Sequence, residues 1–193
     1  NVKYEPLEMP LTKEMADEKT LVTNTGTDWT FQAVTDVGPN GNPHVCILVG
    51  PDIGEKRSGP KRLQHFRWDG KKWLQSKNSG LPIGSGDVEV TSDEKVCIYM
   101  ENQTEKNIAE VSRWDSSNGG DTFTKERVFL SRENTGFIIS ALIENAHPDA
   151  RIIVGEKLKG SDFRNMYLLG DNGPIKRGDK EAIVLNDKNN KPN

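Results

Sequence analysis

His44-Val45-Cys46-Ile47-Leu48-Val49 and Lys95-Val96-Cys97-Ile98-Tyr99-Met100 are one short apolar strand written twice, with the cysteines 51 residues apart. Arg151-Ile152-Ile153-Val154 resembles them further on. A second similarity follows each of the first two: Arg67-Trp68-Asp69-Gly70 before Lys72 and Trp73, and Arg113-Trp114-Asp115-Ser116 before Thr122 and Phe123, 46 residues between tryptophans. Self-similarity at about 40–50 residues is the period of a four-stranded antiparallel unit repeated around an axis. No stretch carries the 3.6-residue amphipathic stripe that a helical repeat needs.

Working outward, the period predicts an all-β chain of β-propeller blades, each a four-stranded antiparallel sheet: three complete blades and a partial one. Strands are expected at 28–36, 43–50, 62–68 and 71–76, then 86–91, 95–102, 107–115 and 122–130, then 137–144, 150–156, 165–170 and 174–177. The corresponding divisions are 1–26 (outer strand and linker of a preceding blade), 27–78, 84–132, 136–178, and a closing strand with polar tail over 179–193. Gly38-Pro39-Asn40-Gly41-Asn42-Pro43, Ser92-Asp93-Glu94 and Asn145-Ala146-His147-Pro148-Asp149 supply reversal chemistry between first and second strands. Tyr4–Thr12 reads as an outer strand, and Lys13–Thr20 as one helical turn or a loop.

Composition excludes several function classes. With 26 basic and 29 acidic residues the net charge is −3, so no overall basic field exists to hold nucleic acid or an anionic membrane. No run of about 18 apolar residues encodes a membrane span. Two cysteines are too few for a disulfide framework or a zinc site, and both read as buried thiols. No phosphate-cradling loop and no metal motif of credible spacing occurs. No cofactor is expected, although a structural calcium remains compatible with the reading.

Ser116-Ser117-Asn118-Gly119-Gly120-Asp121-Thr122-Phe123 is similar to the Asp-box of sialidase-like propellers, S-x-D-x-G-x-T-W, with Asn118 for the Asp and Phe123 for the Trp. The resemblance assigns structural roles to Ser116, Asn118, Gly120, Thr122 and Phe123, in a hairpin between third and fourth strands. Asn40–Val45, His147–Arg151 and Tyr167–Gly173 resemble the BNR-repeat proteins of polysaccharide-degrading bacteria, which include seven-bladed ulvan-lyase-like and rhamnosyl-glucuronate-hydrolase-like enzymes. The likeness covers roughly residues 27–180 and implies only the C-terminal part of such a protein. Propellers close with about six to eight blades. The missing blades are expected from the same parent protein or from a second chain.

In that geometry the turns between strands 1–2 and 3–4 share one face, which carries the Asn118 box and the His147 turn and reads as structural. The opposite face, built by strand 2–3 loops and inter-blade connections, collects candidate substrate-binding residues Arg57, Arg62, Glu101, Glu156, Arg164 and Tyr167. Arginine forks suit a uronate carboxylate, and a tyrosine ring suits a sugar face. Arg132 joins them as a linker residue. Elimination needs a base and a cation that neutralises the sugar carboxylate, whereas hydrolysis commonly needs paired carboxylates. His65, beside Arg67 on a third strand, is the one catalytic candidate, and the catalytic residues are otherwise expected outside this chain. The expectation is a secreted or periplasmic module of a glycoside hydrolase or polysaccharide lyase acting on acidic polysaccharide. A propeller that binds glycan or protein without turnover is the alternative.

Overall fold

Twelve strands form three separate antiparallel sheets of four, each a simple meander, in the computed structural model, which describes residues 9–55, 59–77, 79–92, 94–143, 146–158, 160 and 164–175. The first sheet holds β1 (Trp29–Val37), β2 (Pro43–Gly50), β3 (Arg62–Trp68) and β4 (Trp73–Gln75). The second holds β5 (Gly84–Val90), β6 (Val96–Gln103), β7 (Ile108–Ser116) and β8 (Thr124–Glu133). β9 (Thr135–Leu142), β10 (Ile152–Leu158), β11 (Arg164–Gly170) and β12 (Gly173–Pro174) complete the third. The expected strands each appear within a few residues of their places, except that the outer strand of the third sheet is only two residues long among those described. Residues 176–193 and Tyr4–Glu8, which carry the closing strand, the tail and most of the first expected strand, lie outside the described residues.

Lys13–Thr20 is more regular than one turn. It holds a seven-residue helix, α1 (Lys13–Lys19), capped by the Thr12 hydroxyl accepting from Met15 N–H and laced by a Lys13–Asp17 ion pair.

The core lies in two seams. Between the first and second sheets, Cys46, Leu48 and Leu63 pack on Val88, Val90, Val96, Ile98 and Met100. Between the second and third, Cys97, Tyr99, Ala109 and Val111 pack on Phe137, Ile152, Val154 and Leu169. β6 therefore buries both faces, which is why Val96–Met100 is a continuous apolar run rather than an alternating one. β10 instead buries Ile152 and Val154 and exposes Ile153 between them. Both cysteines are buried free thiols, and burial lifts the Cys97 thiol to about 12.

First strands of successive sheets are stitched together by the same side chain. Asp36 on β1 accepts from Val90 N–H of β5 at 2.6 Å, and Asp87 on β5 accepts from Leu142 N–H of β9 at 2.8 Å. Each bond ties a backbone donor on an edge strand to the first strand of the preceding sheet. Both seams thus fix β1, β5 and β9 side by side.

Trp68 and Trp114 are half-buried rather than central to the core. Trp68 meets Trp73 edge-on at 5.6 Å, and Trp114 lies under the Lys125 ammonium at 5.5 Å.

Candidate functional site

Antiparallel order places two different sets of side chains at the two ends of the sheets. At the end carrying the 1–2 and 3–4 turns, the segment Ser116–Phe123 closes on itself through short polar side chains. Ser116 Oγ accepts from Gly120 N–H at 2.9 Å, Asn118 Oδ1 accepts from Thr122 N–H at 3.1 Å, and Asn118 Nδ2 donates to Thr122 Oγ1 at 2.9 Å. An amide at position 118 makes both contacts at once, accepting through oxygen and donating through nitrogen. Phe123 tucks under the turn, edge-on to His65 at 5.8 Å, and Gly120 lies directly over the His65 ring.

That packing decides the fate of His65. The ring is buried, bonded to His44 Nδ1 at 2.9 Å through Nε2 and to Ser76 Oγ at 2.9 Å through Nδ1. Burial first, then the neighbouring His44 and Arg67, hold its pKa down to about 3. A base that works near neutrality needs a pKa near the working pH and a path to substrate, and His65 has neither. Its neighbour on the same strand face, Arg67, donates to the carbonyls of Asn118 and Gly119 and pairs with Asp121. Both residues support the Ser116–Phe123 turn from the preceding sheet.

The same end is laced by further ion pairs. Arg151 joins Glu89 of β5, at 3.0 Å, to Asp171 after β11, and Arg127 donates to the Asp171 carbonyl. His147 and Asp149 sit exposed in their turn, 3.5 Å apart.

The opposite end carries the residues predicted to meet substrate. Glu156 near the end of β10 has a wholly buried side chain. It accepts from Arg132 of β8 at 2.9 and 3.1 Å, from the Tyr167 hydroxyl of β11 at 2.6 Å, and from Asn165 at 3.5 Å. Burial alone would push this carboxyl up, yet the donors of Tyr167, Asn165 and Arg132 outweigh it and hold Glu156 below the ordinary carboxylate range. Arg132 Nη1 also donates to Tyr167 Oη at 3.1 Å, and its guanidinium carbon lies 5.5 Å from the centre of the tyrosine ring.

Three other predicted residues lie outside these hydrogen bonds. Glu101, near the end of β6, accepts from the Ser85 hydroxyl at the start of β5, and burial raises its carboxyl to about 7. Arg62 is turned toward the connection into the second sheet, where its Nη1 donates to the Leu81 carbonyl at 3.0 Å. Arg164 is exposed at the start of β11, paired in register with Lys157. Arg57 lies outside the described residues.

The structure therefore unites Glu156 with Tyr167 and adds two partners. Arg132 lies within β8 rather than in a linker, and Asn165 had no separate signal beyond its place two residues before Tyr167 on the same strand face. Among the described residues no group of three or more His, Cys, Asp or Glu is arranged to hold a metal ion, and no helix is long and apolar enough to cross a membrane. The cluster around Glu156 presents guanidinium, phenol and amide groups, which can pair with an anion or hydrogen-bond a hydroxyl, and it contains no imidazole.

No family model matches the chain. It is 68% identical over 187 residues, 97% of its length, to an ulvan lyase of Nonlabens ulvanivorans, and covers 40% of that protein. Among solved structures, a polysaccharide lyase PL25 ulvan lyase bound to -[GlcA(1-4)Rha3S]- superposes with a TM-score of 0.83 at 38% identity, over 92% of this chain and 40% of that one. The microbial sialidase Hz136 shares the fold alone, at 15% identity and a TM-score of 0.51, over 90% of this chain and 37% of that one. The chain is thus similar, over nearly all its length, to a part of ulvan lyases, and spans about 40% of the length of these relatives.

Proposed function

We propose that this chain is part of a polysaccharide lyase that cleaves an acidic, glucuronate-containing polysaccharide by β-elimination. The observation that carries the reading is the 68% identity to an ulvan lyase across 97% of the chain. Elimination removes the proton beside the uronate carboxylate and expels the neighbouring glycosidic oxygen. A base takes the proton, and a cation offsets the charge that builds on the carboxylate.

In this reading the three sheets are consecutive blades of one propeller, with β1, β5 and β9 toward the axis. The aspartate bonds between first strands support that arrangement, as does the fold likeness to a sialidase. Ser116–Phe123 is then a variant Asp-box that locks a blade's outer hairpin. The chain contributes scaffold and part of the saccharide-binding face, while the groups that move the proton come from the rest of the lyase. Such a polysaccharide is too large to enter a cell, which supports export to the periplasm or medium.

The experiment is product analysis by mass spectrometry after the complete gene product containing this chain has digested a rhamnose–glucuronate polysaccharide. Elimination leaves oligosaccharides one water lighter than hydrolysis does. Hydrated products, or none, would refute the proposal.

A further inference from the structure

The Arg132–Glu156–Tyr167 cluster is more elaborate than an inter-sheet staple requires. At the turn end, two sheets are joined by Arg151 between Glu89 and Asp171, whose side chains all stay partly exposed. At the loop end the carboxylate is buried completely, while the arginine that neutralises it keeps 47% of its side chain in solvent. Burying a carboxylate costs several kcal/mol unless donors surround it. Here that cost is offset by donors from three residues, so the outcome is an arginine held from behind.

Geometry says what the held arginine presents. One nitrogen, Nη1, makes the contacts to both Glu156 oxygens and to Tyr167 Oη. The hydrogen bonds of the guanidinium run through Nη1, and Nε and Nη2 together form the planar edge that matches two oxygens of an anion. The Tyr167 ring backs the guanidinium. The strand ends around it carry Lys157 and Arg164 besides Arg132, against Glu133 and Glu156, and Glu156 is shielded from solvent.

We propose that Arg132, fixed by Glu156 and Tyr167, is a subsite for an anionic group of the saccharide, a uronate carboxylate or a sulfate ester. The inference rests on the lyase reading and names a contact within it. Arg132 binds; Glu156 and Tyr167 position it.

The test is isothermal titration of the complete gene product with a glucuronate–rhamnose oligosaccharide, in sulfated and desulfated forms, under conditions that prevent turnover. Arg132→Gln is expected to weaken binding roughly tenfold, the loss of one charge-assisted contact. Arg132→Lys keeps the charge over Glu156 but not the fork, and is expected to weaken binding by a similar factor while melting near wild type. Tyr167→Phe is expected to weaken it less, by roughly threefold, by loosening the guanidinium. A loss seen with both oligosaccharides assigns the carboxylate; a loss confined to the sulfated one assigns the sulfate. If wild type binds and a folded Arg132→Lys protein binds within twofold of it, the subsite is refuted and the lyase reading stands. If wild type binds neither oligosaccharide, the lyase reading falls and the subsite with it.

Discussion

Replacing Gly120 with alanine adds one methyl group at the most constrained point of the 3–4 turn. Gly120 has φ of +90°, where an L-residue is strained, and its new Cβ would stand 2.1 Å from His65 Cε1 and 2.4 Å from Nδ1. Neither the turn nor the ring has room to yield. The ring is bonded on both nitrogens to His44 and Ser76 and packed against Phe123, while the turn is pinned by Ser116, Asn118 and Arg67. Left-handed strain of roughly 1–2 kcal/mol and an overpacking penalty of roughly 1–3 kcal/mol add to an expected loss of about 2–5 kcal/mol. Equilibrium urea unfolding at neutral pH measures it. Gly41→Ala is the internal control, since Gly41 has φ of +83° but nothing within 4 Å of a Cβ, so only the strain should appear. A Gly120→Ala loss no larger than that of Gly41→Ala would refute the claim that His65 is an immobile support for the turn.

Other consequences follow from the buried polar groups. His65 has a folded pKa of about 3 against 6.5 when free, so the unfolded chain binds the extra proton between those values. Its contribution is complete above about pH 6.5 and fades as pH falls, by up to about 1.4 kcal/mol per unit. Glu101 acts in the opposite direction, because its folded pKa of about 7 exceeds the free value of 4.5 and stability falls as pH rises between them. Glu101→Gln should therefore steepen the rise of stability from about pH 4.5 to 6.5 and keep stability from falling toward pH 7; an unchanged profile in chemical denaturation would count against this. Asp87→Ala removes the bond to Leu142 N–H, and Asp36→Ala that to Val90 N–H; each should cost roughly 1.5–3 kcal/mol by the same assay. Cys46 and Cys97 should resist a thiol reagent until the chain unfolds, since both are buried and their thiols hold their protons more tightly than free cysteine.

The sheets were legible because their causes are local. Val96–Met100 announces a strand buried on both faces, Gly38–Pro43 and Ser92–Glu94 mark the reversals, and the recurrence of cysteine and tryptophan sets the unit length. The seams were not legible, because contacts between sheets depend on register that no single strand carries. Nothing in the sequence sets Asp36 and Asp87 apart from other strand carboxylates, yet each reaches a backbone donor more than fifty residues away. Arg132 was visible as a cation near the loop face, but its union with Glu156, 24 residues on, required both sheets to be in place. His65 and Arg67 do share one side of β3, as strand alternation demands. What alternation could not say is that Gly120 of the next sheet fills the space above them, turning a catalytic candidate into part of the packing.

The most direct measurement is the ultraviolet absorbance of a rhamnose–glucuronate polysaccharide during incubation with the complete gene product containing this chain. Elimination creates a carbon–carbon double bond conjugated to the uronate carboxyl, so absorbance should climb steadily with time and enzyme. New reducing ends accompanied by a flat absorbance trace would contradict the account.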